Sequence, residues 1–404
     1  MAVRRAVVTG VGVVTPMDGG RGTEVFWRGL CEGRNAVGPV RSFDTARCAC
    51  NVAGEVRDFD ASSLPAPFQS AGRCEQMFAR ACLSALEDAG GETLPDGAGI
   101  VFGTILGGMN SGLEYMDRSF FGNGEKEASL LRGYPAHSVP SGLARFLGLE
   151  GPNLCVSTAC SAGADAVGLA VEEIRSGRAG VMIAGGADVF NEFIFRGFLA
   201  LNALTSDGHV RPFDRDRTGL AVSEGAAVLV LEDAERAGKR GARAYCTVAG
   251  YGCTSDGSHL VRPRQDGGGL ARAVTDALEQ AGAEPLDIGY VSAHGTGTFY
   301  NDAAETAALK LALGEHAKRI GVSSIKSMIG HSMGASAAVE AVSCLKVMET
   351  GIIPPTINYR TPDPGCDLDW VPNEAREQKV DTALSVSAGF GGQNSALVFR
   401  KEPS

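Results

Sequence analysis

The sequence predicts a layered α/β protein. Strand-like apolar runs alternate with helix-like segments along the whole chain, the pattern of strands covered by crossing helices. The composition, 44% hydrophobic and 21% charged over 404 residues, is that of a globular chain with one large or two fused cores. Gly is abundant at 55 residues and aromatics make up only 6%, which suits tight junctions and close packing of elements.

The elements follow in order. Val7-Val8-Thr9-Gly10-Val11-Gly12-Val13-Val14 reads as a strand, a tight turn and a strand-like continuation. It begins like a dinucleotide-binding fingerprint, but the third glycine is missing and Pro16 bars a helix there. Residues 74–90 form an amphipathic helix closed by Gly90-Gly91. A buried strand is expected at 99–103, a helix of small residues at 162–176 stopped by Gly177, and a second buried strand at 181–186. A strand at 226–232 leads into a charged helix at 233–240. A second series then begins: strand 245–252, helix 268–281, strand 288–292, helix 302–313, helix 334–350, and closing strands 383–388 and 396–400. The break near 240–255 divides the chain into halves, 1–250 and 251–404, which share little visible identity.

Bulk properties remove several function classes. A net charge of −10 and a pI of about 5.2 argue against a general nucleic-acid binder. No apolar run reaches the length of a membrane span. Met1 to Arg5 lead straight into a strand with no secretory h-region, so a cytoplasmic protein is expected. The eleven Cys are scattered and match neither a disulfide framework nor a zinc spacing, so most are expected to be small core residues.

Four segments can carry chemistry. In Ser157-Thr158-Ala159-Cys160-Ser161-Ala162-Gly163, a short strand gives way to a long helix. A Cys at that junction is exposed by a sharp turn, and the helix start should lower its pKa. In Ala293-His294-Gly295-Thr296-Gly297-Thr298, a strand delivers a His into a loop where glycines admit a ligand and two hydroxyls can bind amides. Lys326 and His331 share the stretch Lys326-Ser327-Met328-Ile329-Gly330-His331-Ser332-Met333-Gly334-Ala335, with Glu305 as the partner that keeps a buried Lys326 charged. The loop Gly389-Phe390-Gly391-Gly392-Gln393-Asn394 offers backbone N–H groups for an oxyanion. Each segment alone has a plain alternative: a core Cys, a strand-end His, a capping His, a solvated Lys, a glycine turn.

Together, and in this order, the four motifs resemble the β-ketoacyl-acyl carrier protein synthases, from about Val7 to Phe399. The pair of His matches the elongating branch. The resemblance implies a thiolase fold: two βαβαβαββ halves stacked in five αβαβα layers. It implies that Cys160 accepts an acyl chain from a phosphopantetheine arm, and that His294 and His331 assist decarboxylation of a malonyl unit. It places an oxyanion between the N–H groups of Cys160 and Phe390, pantetheine amides on Thr296 and Thr298, and a gate at Phe390. An acyl pocket around Leu106, Met109, Ala136, His137 and Phe198 follows by the same resemblance. No metal or free cofactor is called for, and the partners are an acyl carrier protein and a second subunit, either a copy of the chain or a chain-length factor.

Segments such as Val322-Ser323-Ser324-Ile325-Lys326 and Cys366-Asp367-Leu368-Asp369-Trp370 look closer to the ketosynthase subunit of bacterial type II polyketide synthases than to a housekeeping fatty-acid enzyme. Phe299-Tyr300, where housekeeping enzymes carry Pro, points to a specialised branch such as one making reduced or polyene chains. Arg73, Arg80 and Lys126 are weak candidates for carrier contacts. Two rivals stand against this reading. A CoA-dependent thiolase needs a second Cys in the C-terminal glycine loop, where none occurs, and a chain-length-factor-like scaffold would lack Cys160.

Overall fold

The computed structural model describes residues 4–91, 94–122 and 127–402. Ten strands line up in it: β1 (Ala6–Val14), β2 (Gly99–Gly103), β3 (Asn153–Val156), β4 (Val181–Asp188), β5 (Gly225–Asp233), β6 (Cys246–Ser255), β7 (Tyr290–Ser292), β8 (Gly321–Ser323), β9 (Thr382–Gly389) and β10 (Gln393–Arg400). Their order is β8-β7-β9-β10-β6-β1-β5-β4-β2-β3. The order is two copies of one pattern, β3-β2-β4-β5-β1 and β8-β7-β9-β10-β6. Pairing directions repeat as well: β2 runs parallel to β3 and β4, as β7 does to β8 and β9, and the remaining pairs within each unit are antiparallel. The units meet where β1 pairs β6, Val7 opposite Thr247 and Val8 opposite Cys246.

Six principal helices complete the repeat: α1 (Arg73–Asp88), α2 (Ser138–Leu147), α3 (Ala162–Arg175), α4 (Gly268–Ala281), α5 (Phe299–Leu313) and α6 (Ser336–Thr350). Each half therefore reads βαβαβαββ. Helices α3 and α6 touch each other and strands of both units, so they form the middle layer. Helix α1 covers β1 and β5 with α2 beside it, and α4 covers β6 and β10 with α5 beside it. The result is five αβαβα layers. Three apolar cores fill the interfaces: one around α3 and α6, one under α1 and one under α4. The near-continuous burial of α6, from Ser336 to Met348, explains its all-round small and apolar composition.

Two expectations need correction. The segment around Gly10 and Gly12 is one continuous strand with a bulge between Val8 and Gly10, not a turn. Its glycines answer to packing: a Cβ on Gly10 would lie 2.1 Å from the Ala85 carbonyl oxygen of α1, and one on Gly12 would lie 2.0 Å from that of Ala81. Gly250 and Gly252 of β6 stand in the same relation to Ala277 and Ala273 of α4, at 1.9 and 2.0 Å. The second correction concerns the halves. A division at 250/251 falls inside β6, and the chain passes from one unit to the other in the segment just before Cys246.

Candidate active site

Four turns converge beside the middle layer. Strand β3 ends at Val156, and Ala159 adopts a left-handed φ of 53°, which swings Cys160 into a single 3-10 turn ahead of α3. His294 leaves β7 through Gly295-Thr296-Gly297, where Gly297 takes φ 78°. His331 is fixed by its own backbone, which exchanges hydrogen bonds with Ala221 (2.8 Å) and Ser223 (2.8 Å). Phe390 occupies the turn between β9 and β10.

The side chains meet at one point. Cys160 Sγ and the facing nitrogens of His294 and His331 lie within 4.8 Å of one another. His331 Nε2 is 3.1 Å from Cys160 Sγ, and the two imidazole rings stand edge to face with centroids 5.4 Å apart. The hydrogen bonds at Nδ1 assign the tautomers. Met333 N–H donates to His331 Nδ1 (3.1 Å), with Ser336 Oγ 2.7 Å from the same nitrogen, and the Lys326 ammonium donates to His294 Nδ1 (3.3 Å). A neutral ring that accepts at Nδ1 carries its proton on Nε2. Both Nε2–H groups therefore point at the space beside the sulfur as donors. Burial, and then the Lys326 charge, hold both imidazoles well below their usual pKa, so they are neutral at pH 7. The same three donor atoms are of the kinds that ligate zinc, but in this tautomer the rings present N–H rather than lone pairs to the cavity.

Burial pushes the Cys160 thiol up to about 11, against the pull of Lys326 and of the Phe390 N–H. The helix start alone does not leave a resting thiolate here, because the thiol is only 4% exposed.

Lys326 is fully buried and donates to the His294 carbonyl oxygen (2.7 Å). Its ion-pair partner is Glu340, on the middle helix α6, and not Glu305. Glu305 instead accepts from the backbone N–H of His294 (2.6 Å) and Gly295 (2.8 Å), which commits both of its oxygens to the His294 loop. Burial raises Glu305 to about 8 and Glu340 to about 7. The sequence signal for Glu340 was its isolation: one acid in the run Ser336-Ala337-Ala338-Val339-Glu340-Ala341-Val342.

A cavity of about 420 Å³ opens onto this point. Cys160, His294, His331, Thr296, Thr298, Phe198 and Phe390 all line it. The Thr296 and Thr298 hydroxyls are 2.9 Å apart. Phe198 and Phe390 lie with ring centroids 5.8 Å apart, and Leu106 and Met109 belong to the apolar cluster behind them without lining the cavity. His137 does not join them: it stands exposed at the start of α2. The mouth carries Phe299 and Tyr300, with the Arg217 guanidinium over the first ring at 5.3 Å and that of Arg262 over the second at 4.9 Å.

Of the weak carrier-contact candidates, Arg73 is committed to a paired hydrogen bond with buried Glu224 (2.9 and 2.7 Å). Arg80 bonds Ser63 Oγ, and Lys126 lies outside the described residues.

The chain belongs to the β-ketoacyl synthase family: residues 3–237 match its N-terminal domain and residues 245–360 its C-terminal domain. Among curated relatives, it is 41% identical to 3-oxoacyl-[acyl-carrier-protein] synthase 2 of Synechocystis sp., over 98% of both chains. It is also 41% identical to the tetracenomycin polyketide synthase ketoacyl synthase alpha subunit of Streptomyces glaucescens, over 99% of this chain and 98% of that one. Among solved structures, the ishigamide ketosynthase/chain length factor superposes with a TM-score of 0.93 at 38% identity, covering 100% of both chains. A type II PKS acyl-carrier protein in complex with its ketosynthase, AntDE:AntF, gives 0.90 at 32%, covering 99% of this chain and 100% of that one. The chain is thus an acyl-transferring condensing enzyme of the thiolase-like fold.

Proposed function

We propose that this enzyme elongates a polyketide chain by decarboxylative Claisen condensation, with both substrates delivered as phosphopantetheine thioesters on an acyl carrier protein. The observation that carries the reading is the convergence of the Cys160 sulfur with two neutral, Nε2-protonated imidazoles. Such a site holds a nucleophile and two donors for one developing oxyanion.

In the first step Cys160 Sγ attacks the acyl thioester and the pantetheine thiol leaves with the cysteine proton. The tetrahedral oxygen accepts from the N–H groups of Cys160 and Phe390. A malonyl thioester then enters, its pantetheine amides held at Thr296 and Thr298. Its carboxylate leaves as CO2, and the bonding pair becomes an enolate whose oxygen accepts from His294 and His331 Nε2–H. The enolate carbon attacks acyl-Cys160. The thiolate is expelled and takes up one proton, so each cycle consumes one proton and yields one CO2, one free pantetheine thiol and one β-ketoacyl thioester. Lys326, paired with Glu340, fixes His294 and supplies positive potential.

The polyketide assignment is supported by the relatedness to polyketide ketoacyl synthases and by the aromatic mouth at Phe299-Tyr300. Pairing with a chain-length factor or a second copy is supported by the free edge of β3, which exposes Leu154, and by exposed Phe120 and Phe121. No helix among the described residues is long and apolar enough to cross a membrane. Eleven unbridged cysteines support action in the reducing cytoplasm.

The test is a split of the two half-reactions. His294→Ala and His331→Ala should each retain acyl loading of Cys160 and lose most malonyl decarboxylation. Loss of loading with decarboxylation intact overturns the assignment of roles.

A further inference from the structure

Asp165 is a buried acid that no step above uses. It lies in the first turn of α3, five residues after Cys160, and is 2% exposed. An acid so placed ordinarily serves the free N–H groups of the helix start. The hydrogen bonds that Asp165 receives come from hydroxyls instead. Oδ2 accepts from Thr158 Oγ1 and lies 3.1 Å from Ser161 Oγ, whose one proton is shared with the Thr158 carbonyl oxygen (2.8 Å); these residues bracket Cys160 on its turn. Oδ1 accepts from Tyr251 OH (2.9 Å) and Ser395 Oγ, which belong to β6 and β10 of the other half. The Tyr251 ring is pressed onto α3 at Gly168, where a Cβ would lie 2.4 Å from it.

The arms reach both turns that carry the oxyanion donors. Thr158 and Ser161 flank Cys160 and the left-handed Ala159, a conformation that persists only where surroundings enforce it. Ser395 stands in β10, which begins directly after the Phe390–Gly392 turn. We propose that Asp165 is a positioning residue: by clamping the Cys160 turn to the C-terminal half, it sets the spacing between the Cys160 and Phe390 N–H groups. The inference rests on the reading of those two groups as the oxyanion site.

The test uses the full-length enzyme and measures two rates: acyl transfer from an acyl-pantetheine thioester to Cys160, by intact-mass spectrometry, and decarboxylation of malonyl-pantetheine, which relies on the two His. Asp165→Ala should lower the saturating acyl-transfer rate at least tenfold, with KM and decarboxylation within twofold of wild type. Asp165→Asn should recover most of the loss, because its amide still accepts at one atom and the hydroxyls can turn to accept from the other. Unchanged acyl transfer, or equal loss of both rates in folded protein, overturns the proposal. Should Asp165→Ala not fold, Tyr251→Phe and Ser395→Ala remove only the arms from the other half. Each should slow acyl transfer two- to fivefold, and wild-type rates in both overturn the proposal. Should wild type load no acyl group at all, the functional reading fails separately. The clamp is then judged by amide hydrogen exchange over residues 157–164, which Asp165→Asn should leave slow and Tyr251→Phe should speed; no change in the latter overturns it.

Discussion

His331 Nε2 lies within hydrogen-bond reach of Cys160 Sγ, at 3.1 Å, while the ring accepts the Met333 N–H at its other nitrogen. The imidazole is therefore a donor toward the sulfur, ready to stabilise a thiolate but not placed to store its proton. Burial outweighs the pull of Lys326 and of the Phe390 N–H and pushes the thiol up to about 11. Alkylation of Cys160 by iodoacetamide should accordingly rise about tenfold per pH unit from pH 7 to 10, since the thiolate is the reacting form. A rate that levels off below pH 8 would mean that the thiol ionises far more readily than its burial allows.

Glu340 and Glu305 make a second contrast. Glu340 faces the Lys326 ammonium, whereas Glu305 faces two backbone N–H groups. Removing one member of a buried ion pair costs about 3–5 kcal/mol, and losing one of two backbone hydrogen bonds costs about 1–3 kcal/mol. Thermal denaturation should therefore show Glu340→Gln to be the more destabilised variant. A larger drop for Glu305→Gln would restore Glu305 as the counter-charge.

The two His give a pH signature. Their folded pKa values are depressed below 6.5, so the unfolded chain binds protons that the folded one refuses. Their contribution to stability is full above pH 6.5 and is lost as pH falls below it, by up to about 1.4 kcal/mol per unit for each His. Glu305 and Glu340, raised to about 8 and about 7, act in the opposite sense as pH rises above 4.5. The His share is isolated by difference: between pH 6.5 and 5, the urea midpoint of wild type should fall relative to a His294→Gln/His331→Gln double variant. Parallel curves would show that the imidazoles protonate freely in the fold.

Thr296 and Thr298 face the cavity as neighbouring hydroxyls. Thr298→Val should raise KM for a malonyl-pantetheine thioester about fivefold with kcat little changed, as expected for one lost hydrogen bond of about 1 kcal/mol. A fall in kcat at constant KM would assign the hydroxyl to the chemical step.

Much of this molecule was legible in its sequence. Strands with two buried faces read as continuous apolar runs, so β2, β4 and β5 were plain, and a Cys at a strand-to-helix junction stood out among eleven. What escaped was long-range. Gly10-Val11-Gly12 looked like a turn because nothing local reveals the α1 carbonyls that pass within 2.1 Å of a would-be Cβ. Gly250-Tyr251-Gly252 is its structural counterpart in the other half, a match visible only once both glycine pairs are seen against their helices. The sequence offers Glu305 as the acid for a buried Lys326, whereas Glu340 reaches Lys326 from α6, a contact between elements that no local pattern reveals. His137, which the resemblance places in the acyl pocket, lies on the surface. Residue types and order encode chemistry, but the identity of a buried charge's partner depends on how layers stack.

The most direct test of the account is the mass of Cys160 during turnover. The enzyme is incubated with acyl-loaded carrier protein, quenched, digested, and the peptide spanning Cys160 weighed, with and without malonyl-carrier protein. The account predicts an acyl adduct on Cys160 that accumulates without malonyl units, vanishes on their addition as a β-ketoacyl carrier appears, and is absent with product in Cys160→Ala. Condensed product from Cys160→Ala, or an acyl adduct located on another residue, would contradict it.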